Sequence, residues 1–151
     1  MGTLITCTDK RLANCRFFDC RSALMDAQYG SNQYAKGHIP GAIYADLNHE
    51  LCGQVQPGIT GRHPLPEKEA FLKQVRRWGI NNDDLIVTYD DDNGAFAARL
   101  WWMMRWLGHD EVFVLDGGFK QWTQEDLPVT VGTAPAATSD FSLKPALTKV
   151  V

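Results

Sequence analysis

A run of carboxylates stands where α/β proteins usually carry their chemistry. Residues 85–102 read LIVTYDDDNGAFAARLWW: an apolar run, three aspartates, Asn-Gly and a long apolar-patterned segment. This order predicts a strand that leads through a tight loop into the N-terminus of a helix. Such a loop usually binds an anion, because free backbone N–H groups and the helix dipole converge on it. The negative charges of Asp90, Asp91 and Asp92 therefore need another explanation.

The residues alone leave three explanations open for this acidic loop. The carboxylates could cap the helix that begins near Gly94 and complement its dipole. They could instead face a further domain and pair with its basic groups. Alternatively, the strand followed by D-x-D resembles the first motif of haloacid-dehalogenase-type phosphatases, in which the first Asp is a nucleophile and Mg²⁺ offsets the charge. Gly94 departs from that motif, and no later acidic pair for the metal follows.

Length, charge and composition limit the classes of function. With 151 residues, 44% of them hydrophobic and 22% charged, the chain can bury one sizeable core. Fifteen basic and eighteen acidic side chains, spread without basic runs, argue against a nucleic-acid or anionic-membrane surface. No segment approaches the roughly 18 apolar residues of a membrane span, and the first residues lack a secretory signal pattern. We therefore expect a cytoplasmic protein.

The four cysteines are expected to be reduced thiols. Cys7, Cys15, Cys20 and Cys52 show no C-x-x-C spacing, and the histidines form no metal-like cluster with them. Neither a metal nor another cofactor is therefore expected. An even count permits disulfides, but the size and the normal apolar content favour free thiols in the cytosol.

Strands alternate with helices along the chain, which predicts a parallel sheet covered on both faces. The predicted strands are Cys15–Arg21, about six residues after Pro40-Gly41, Leu85–Tyr89 and Val112–Leu115. The predicted helices are a short one at Thr6–Leu12, one from Pro66 to Trp78 with Gly79 as its C-cap, one from Gly94 to Leu107, and one from Gly117 to Trp122. Residues 28–37 are polar and are interpreted as a loop with at most one helical turn.

Four sequence segments, taken together, resemble those of a known family. The chain contains, in this order, YAKGHIPGAIYADL, GRHPLP, LIVTYDDDNGAFAARLWWMMRWLGH and VFVLDGGFKQW. Together they resemble the N-terminal domain of a two-domain rhodanese, one of the thiosulfate or 3-mercaptopyruvate sulfurtransferases. The resemblance implies a three-layer α/β/α domain with a five-stranded parallel sheet at residues 1–128. Residues 129–151 would then be an interdomain linker to a second domain that this chain lacks.

The resemblance also implies where the nucleophile is. In that family the second half carries the catalytic cysteine, and the corresponding loop of this chain has Asp90 at the cysteine position. Sulfane-sulfur transfer requires a thiolate that attacks the outer sulfur of an anionic donor and holds it as a persulfide. Two like charges about 4 Å apart cost on the order of 4 kcal/mol at an effective dielectric constant of about 20. The acidic loop is therefore expected not to transfer sulfur, and this chain alone is expected to be inactive.

Several residues are expected to contribute to a pocket between the two domains. His63, in a His-Pro-Leu-Pro segment, matches a histidine close to the cysteine and could donate a hydrogen bond or direct a proton. Asn48 stands where an acidic partner is expected, which favours thiosulfate over mercaptopyruvate as the donor. Phe96 matches an aromatic residue at the pocket mouth, although its helical position suits the core equally well. Arg99 and Arg21 resemble arginines near the domain junction, with ion pairs inside the domain as the alternative.

The resemblance implies a function for the parent protein. It would move sulfane sulfur from thiosulfate or 3-mercaptopyruvate to a thiophilic acceptor such as cyanide or a thiol. Its partners would be its own C-terminal rhodanese domain, which Asp91 would face, and a small anionic sulfur donor. The alternatives are a stand-alone rhodanese-like module that binds or regulates without chemistry, and the Asp-dependent phosphatase.

Overall fold

A five-stranded parallel sheet forms the centre of the fold. The computed structural model describes residues 3–56, 58, 63–133 and 138–148. In chain order the strands are β1 (Leu4–Ile5), β2 (Arg16–Asp19), β3 (Ile43–Tyr44), β4 (Ile86–Tyr89) and β5 (Val112–Leu115). They lie in the order β1-β5-β4-β2-β3, and every neighbouring pair is parallel. The predicted five-stranded parallel sheet is therefore confirmed.

Helices cover both faces of the sheet. They are α1 (Tyr29–Lys36), α2 (Lys68–Arg77), α3 (Ala95–Trp106) and α4 (Gly118–Gln124), together with a 3₁₀ helix at Lys10–Asn14. One apolar layer packs α2 and α3 against sheet residues such as Phe18, Ile86 and Val112. The other packs Tyr34 of α1 and Trp122 of α4 against the opposite face. This is the predicted three-layer α/β/α architecture. Among the described residues, each helix is too short or too polar to traverse a lipid bilayer.

Apolar patterning explains the strands and the two long helices. All four residues of β4 are buried, as expected for a central strand with a helix layer on each side. On α2 the buried positions Phe71, Leu72 and Val75 form the predicted stripe. That helix begins at Lys68 with Glu67 as its N-cap residue, so the expectation of Pro66 at the first helical position is wrong.

Four short elements differ from the sequence-based expectation. Residues 28–37, interpreted as a loop, form the eight-residue helix α1, although few of its side chains are apolar. Its stability comes from tertiary contacts rather than from an apolar stripe. β3 has two residues instead of six, and the unpredicted strand β1 pairs with β5. The helix expected at Thr6–Leu12 is instead the 3₁₀ helix, whose first turn is capped by the Asp9 carboxylate.

The C-terminal segment packs on the domain. Phe141 is fully buried in the layer that contains α2 and α3. The backbone N–H of Ser139 donates to Arg76 O, and the N–H groups of Lys144 and Leu147 donate to carbonyls at the end of α3. These bonds satisfy C-terminal carbonyls that a helix leaves without partners. Part of the segment after residue 128 therefore contacts the domain, while the domain boundary at 128 and the role of 129–151 as an interdomain linker stay predictions.

Substitution of Gly30 by Ala tests the packing of α1. A Cβ atom at this position would overlap the carbonyl oxygen of Arg21 and the hydroxyl of Tyr44. Alanine favours a helix over glycine by about 1 kcal/mol, so propensity alone predicts stabilisation. We expect Gly30→Ala instead to lower the free energy of unfolding by roughly 2–3 kcal/mol through overpacking, as measured by urea denaturation. Asn32→Ala, at an exposed position of the same helix, is the control and should not destabilise. Equal effects would contradict the close packing.

Candidate functional site

The loop from Asp90 to Gly94 joins β4 to α3, and its first carboxylate lies inside it. Asp90 Oδ1 accepts hydrogen bonds from the backbone N–H of Asp92 (3.0 Å) and of Gly94 (3.1 Å). Oδ2 accepts one from the N–H of Ala97 at 2.9 Å. The residue is 2% exposed. The amides that could have bound an external anion are therefore occupied by the chain's own carboxylate.

This geometry decides between the explanations of Asp90. Because both carboxylate oxygens accept backbone hydrogen bonds in a buried position, Asp90 caps the first turn of α3, which was one of the three alternatives. Both carboxylate oxygens are already bound to backbone N–H groups, which argues against a nucleophilic Asp90. Within the described residues, no group of three or more His, Cys, Asp or Glu side chains is arranged to hold a metal ion.

The second aspartate of the loop contacts α1. Tyr29 donates its hydroxyl hydrogen to Asp91 Oδ2 at 2.6 Å. This bond raises the pKa of Tyr29, with burial as a smaller cause. The sequence did not indicate Tyr29, since its segment was interpreted as a loop. The pair links the start of α1 to the acidic loop and so shapes the surface beside it.

None of the thiols has the properties of an activated nucleophile. All four cysteines are free, and Cys7 and Cys20 are buried. Burial raises the pKa of Cys20 well above its usual value, with the nearby Asp19 and Asp90 adding to it. Burial also raises the pKa of Cys15 to about 12. Cys52 shows the same direction, because burial outweighs the opposing charge of Arg99.

His63 and Asn48 are hydrogen-bonded to each other. His63 Nε2 lies 3.2 Å from Asn48 Oδ1. With an amide oxygen as the acceptor, Nε2 carries the proton. The two side chains line a cavity of about 370 Å³ together with Leu24, Ala27 and Val55. The structure thus brings together two residues that are fifteen positions apart and that the sequence singled out for the same pocket.

Phe96 lines a second cavity next to the first. This cavity, of about 430 Å³, is also bordered by Tyr29 and Asp91, and Leu24 lines both cavities. Phe96 also packs against the apolar layer of α2 and α3, so the core position and the pocket position are both observed. His63, Asn48, Phe96 and Asp91 therefore share one surface, whereas the buried Asp90 lies outside both cavities.

The two arginines bind within the domain. Arg21 is 2% exposed, and its Nη2 donates to Asp19 Oδ2 at 2.6 Å and to Gly37 O at 2.7 Å. This is the intradomain ion pair left open above, so Arg21 presents no surface to a second domain. Arg99, which is partly exposed, donates to the carbonyls of Leu51 and Pro64. The sequence did not reveal this contact, because backbone acceptors have no residue signature.

Comparisons with known proteins agree with this fold. The family described as the rhodanese-like domain matches residues 6–125. The chain is 45% identical over 128 residues to a probable 3-mercaptopyruvate sulfurtransferase of Pseudomonas aeruginosa, covering 84% of this chain and 45% of that protein. It is 40% identical over 114 residues to the thiosulfate sulfurtransferase of Gallus gallus, covering 74% and 38%.

A solved structure shows the same similarity. The 3-mercaptopyruvate sulfurtransferase from Leishmania major superposes with a TM-score of 0.82 at 34% identity, over 95% of this chain and 41% of that one. The parallel α/β fold with a loop at the strand end defines the class of protein. The match to the family model then identifies the family. The chain belongs to the rhodanese family. It spans less than half the length of these three relatives.

The capping role of Asp90 predicts a difference between neighbouring aspartates. Asp90→Ala leaves three backbone N–H groups without their acceptor, and we expect a loss of about 2–3 kcal/mol of unfolding free energy. Asp92→Ala removes an exposed carboxylate and should change stability by less than about 0.5 kcal/mol. Urea denaturation of the two variants measures both values. Similar losses for the two would contradict the capping role.

The raised thiol pKa values predict slow alkylation. Because the folded pKa of Cys52 lies above its usual value of 9.0, its thiolate fraction at pH 7.5 is smaller than in the unfolded chain. The same holds for Cys7, Cys15 and Cys20. We expect iodoacetamide to modify all four more slowly in the folded chain than in urea, with rates still rising above pH 9. Peptide mass spectrometry measures this, and a plateau below pH 8 at any one cysteine would identify an activated thiol.

Proposed function

We propose that this chain is the N-terminal, non-nucleophilic domain of a two-domain sulfurtransferase. The observation that carries the proposal is the Asp90 carboxylate, which occupies the loop amides that a thiolate or an anionic donor would need. Burial raises the pKa of each of the chain's own thiols, which supports a nucleophile outside this domain. The names of the relatives, which are thiosulfate and 3-mercaptopyruvate sulfurtransferases, support the reaction class.

The proposed reaction proceeds through a cysteine persulfide in a second rhodanese domain. The thiolate attacks the outer sulfur of thiosulfate, the S–S bond breaks and sulfite leaves with the electron pair. An acceptor then attacks the persulfide, so that cyanide becomes thiocyanate and the thiolate is restored. With 3-mercaptopyruvate as the donor, the C–S bond breaks and pyruvate is released after protonation of its carbon.

This domain would supply one wall of the pocket between the two domains. His63 would donate a hydrogen bond to the donor or direct a proton, and Asn48 would hold its ring through the 3.2 Å hydrogen bond. Phe96 would border the pocket mouth. An amide partner for His63 stabilises an imidazolium less than a carboxylate would. This difference favours thiosulfate, whose cleavage requires no proton, over 3-mercaptopyruvate.

The partner and the location follow from the same features. Leu24 and Met25 are exposed on the surface that carries both cavities, and Asp91 lies beside them. A second rhodanese domain with basic groups would cover this surface. The free cysteines suit a reducing compartment, so we place the protein in the cytoplasm.

A sulfur-transfer assay tests the proposal. We expect this 151-residue chain to form no thiocyanate from thiosulfate and cyanide, and no pyruvate from 3-mercaptopyruvate, above the uncatalysed rate. We expect the reading frame to continue past Val151 into a domain with a cysteine in the corresponding loop, and the complete product to be active. Turnover by this chain that Cys52→Ala abolishes would place the nucleophile here and overturn the proposal. A complete product without such a domain would favour a module that binds without chemistry.

A further inference from the structure

The side chain of Arg99 crosses from α3 to two loops that carry the candidate pocket residues. Its Nε donates to Leu51 O at 3.2 Å, and its Nη2 donates to the same oxygen at 2.9 Å. Nη2 also donates to Pro64 O at 3.2 Å. One guanidinium therefore joins two chain segments that are thirteen residues apart. Both acceptors are backbone carbonyls, so their identity does not depend on the side chains of the loops.

These two carbonyls belong to residues close in sequence to Asn48 and His63. Leu51 closes the turn that carries Asn48, since its N–H donates to Asp46 O at 3.1 Å. Pro64 directly follows His63. A further bond, from the N–H of Gly53 to Pro64 O at 2.9 Å, runs between the same two segments. The contacts at Leu51 O and Pro64 O therefore join the segment that carries Asn48 to the segment that carries His63.

The His63 segment has few backbone donors of its own. Residues 63–67 have no regular secondary structure, and two of them, Pro64 and Pro66, lack a backbone N–H. Pro64 O accepts one hydrogen bond from the backbone N–H of Gly53 and a second from the guanidinium of Arg99. The fork of a guanidinium can bind two carbonyls at once, whereas the ammonium of lysine is a point charge without that geometry.

We propose that Arg99 is a positioning residue for His63. It acts through the backbone of the two loops, touches neither the sulfur donor nor the nucleophile, and sets the ring of His63 against Asn48. Only the expected effect of Arg99 on catalysis depends on the proposed function. Its structural part, the hold on His63, can be measured on this chain alone.

Nuclear magnetic resonance of the His63 ring tests the structural part. In the wild-type chain, the ¹⁵N shifts should show a preference for the tautomer protonated at Nε2. We expect Arg99→Met, which keeps the aliphatic stem and removes the donors, to shift these signals toward those of a free imidazole. Asn48→Ala should produce the same change, and Arg99→Lys should restore part of the preference. Arg105→Met is the matched control on the same helix, because its guanidinium lies over Trp101 at 5.2 Å, and should leave the signals unchanged.

Sulfur transfer by the complete two-domain product tests the catalytic part. A small displacement of a catalytic group can cost on the order of 100-fold in rate, so we expect Arg99→Met to lower kcat/KM by about 10- to 100-fold. His63→Ala should cause a loss of similar size. The double variant should lose no more than the larger single loss, because the two residues act as one unit. Arg105→Met should keep its activity.

The outcomes separate this proposal from the proposed function. A variant Arg99→Met with lower thermal stability but unchanged His63 signals would show a merely structural arginine and overturn the proposal. Additive losses in the double variant would overturn it as well. If Arg99→Met does not fold, Arg99→Lys serves for both measurements, and unchanged signals there would contradict the requirement for a fork. A complete product without sulfur transfer would contradict the proposed function, while the His63 signals would still decide the role of Arg99.

Discussion

The Asp90 carboxylate is the contact on which the region around the site depends. It accepts N–H groups from the loop and from the first turn of α3, while its own carbonyl accepts the N–H of Phe119 at the start of α4. Gly118 approaches that carbonyl so closely that a Cβ atom would lie 2.5 Å from it. One residue thus connects β4 with two helices. A buried charge is tolerated here because backbone donors surround it.

Because Asp90 occupies the loop amides, the candidate pocket residues are found in the neighbouring cavities. In an open α/β sheet, a ligand usually binds in the crevice beyond the carboxyl ends of the strands. Here the loop after β4 contains the satisfied carboxylate of Asp90, whereas His63, Asn48 and Phe96 line two neighbouring cavities. The loops that carry His63 and Asn48 are bonded to α3 through Arg99, and Asp90 caps the first turn of α3. The helix α3 therefore takes part in both features. Asp90, which stands at the cysteine position, caps its first turn, and Arg99 of the same helix binds the loops of the pocket wall.

Much of the fold follows from local patterns. Apolar runs indicated β2, β4 and β5, and apolar stripes indicated α2 and α3, because these elements bury continuous faces. The helix α1 and the strands β1 and β3 were missed or misjudged. α1 has few apolar side chains, and the other two have two residues each, so their stability comes from neighbours rather than from their own pattern. The capping role of Asp90 could be stated as an alternative but not chosen, because the direction of one side chain decides it.

The sequence by itself determined the family, the order of the main elements, the absence of a cysteine from the strand-end loop and the candidacy of His63 and Asn48. These follow from residue types and short-range spacing. Only the tertiary structure decided that Asp90 faces the loop amides, that Arg21 is buried with Asp19, that His63 meets Asn48, and that Arg99 binds the loops of both. These facts depend on hydrogen bonds to backbone groups, or between residues brought together by folding. Backbone donors and acceptors are the same in every sequence, so their partners are specified only by the three-dimensional path of the chain.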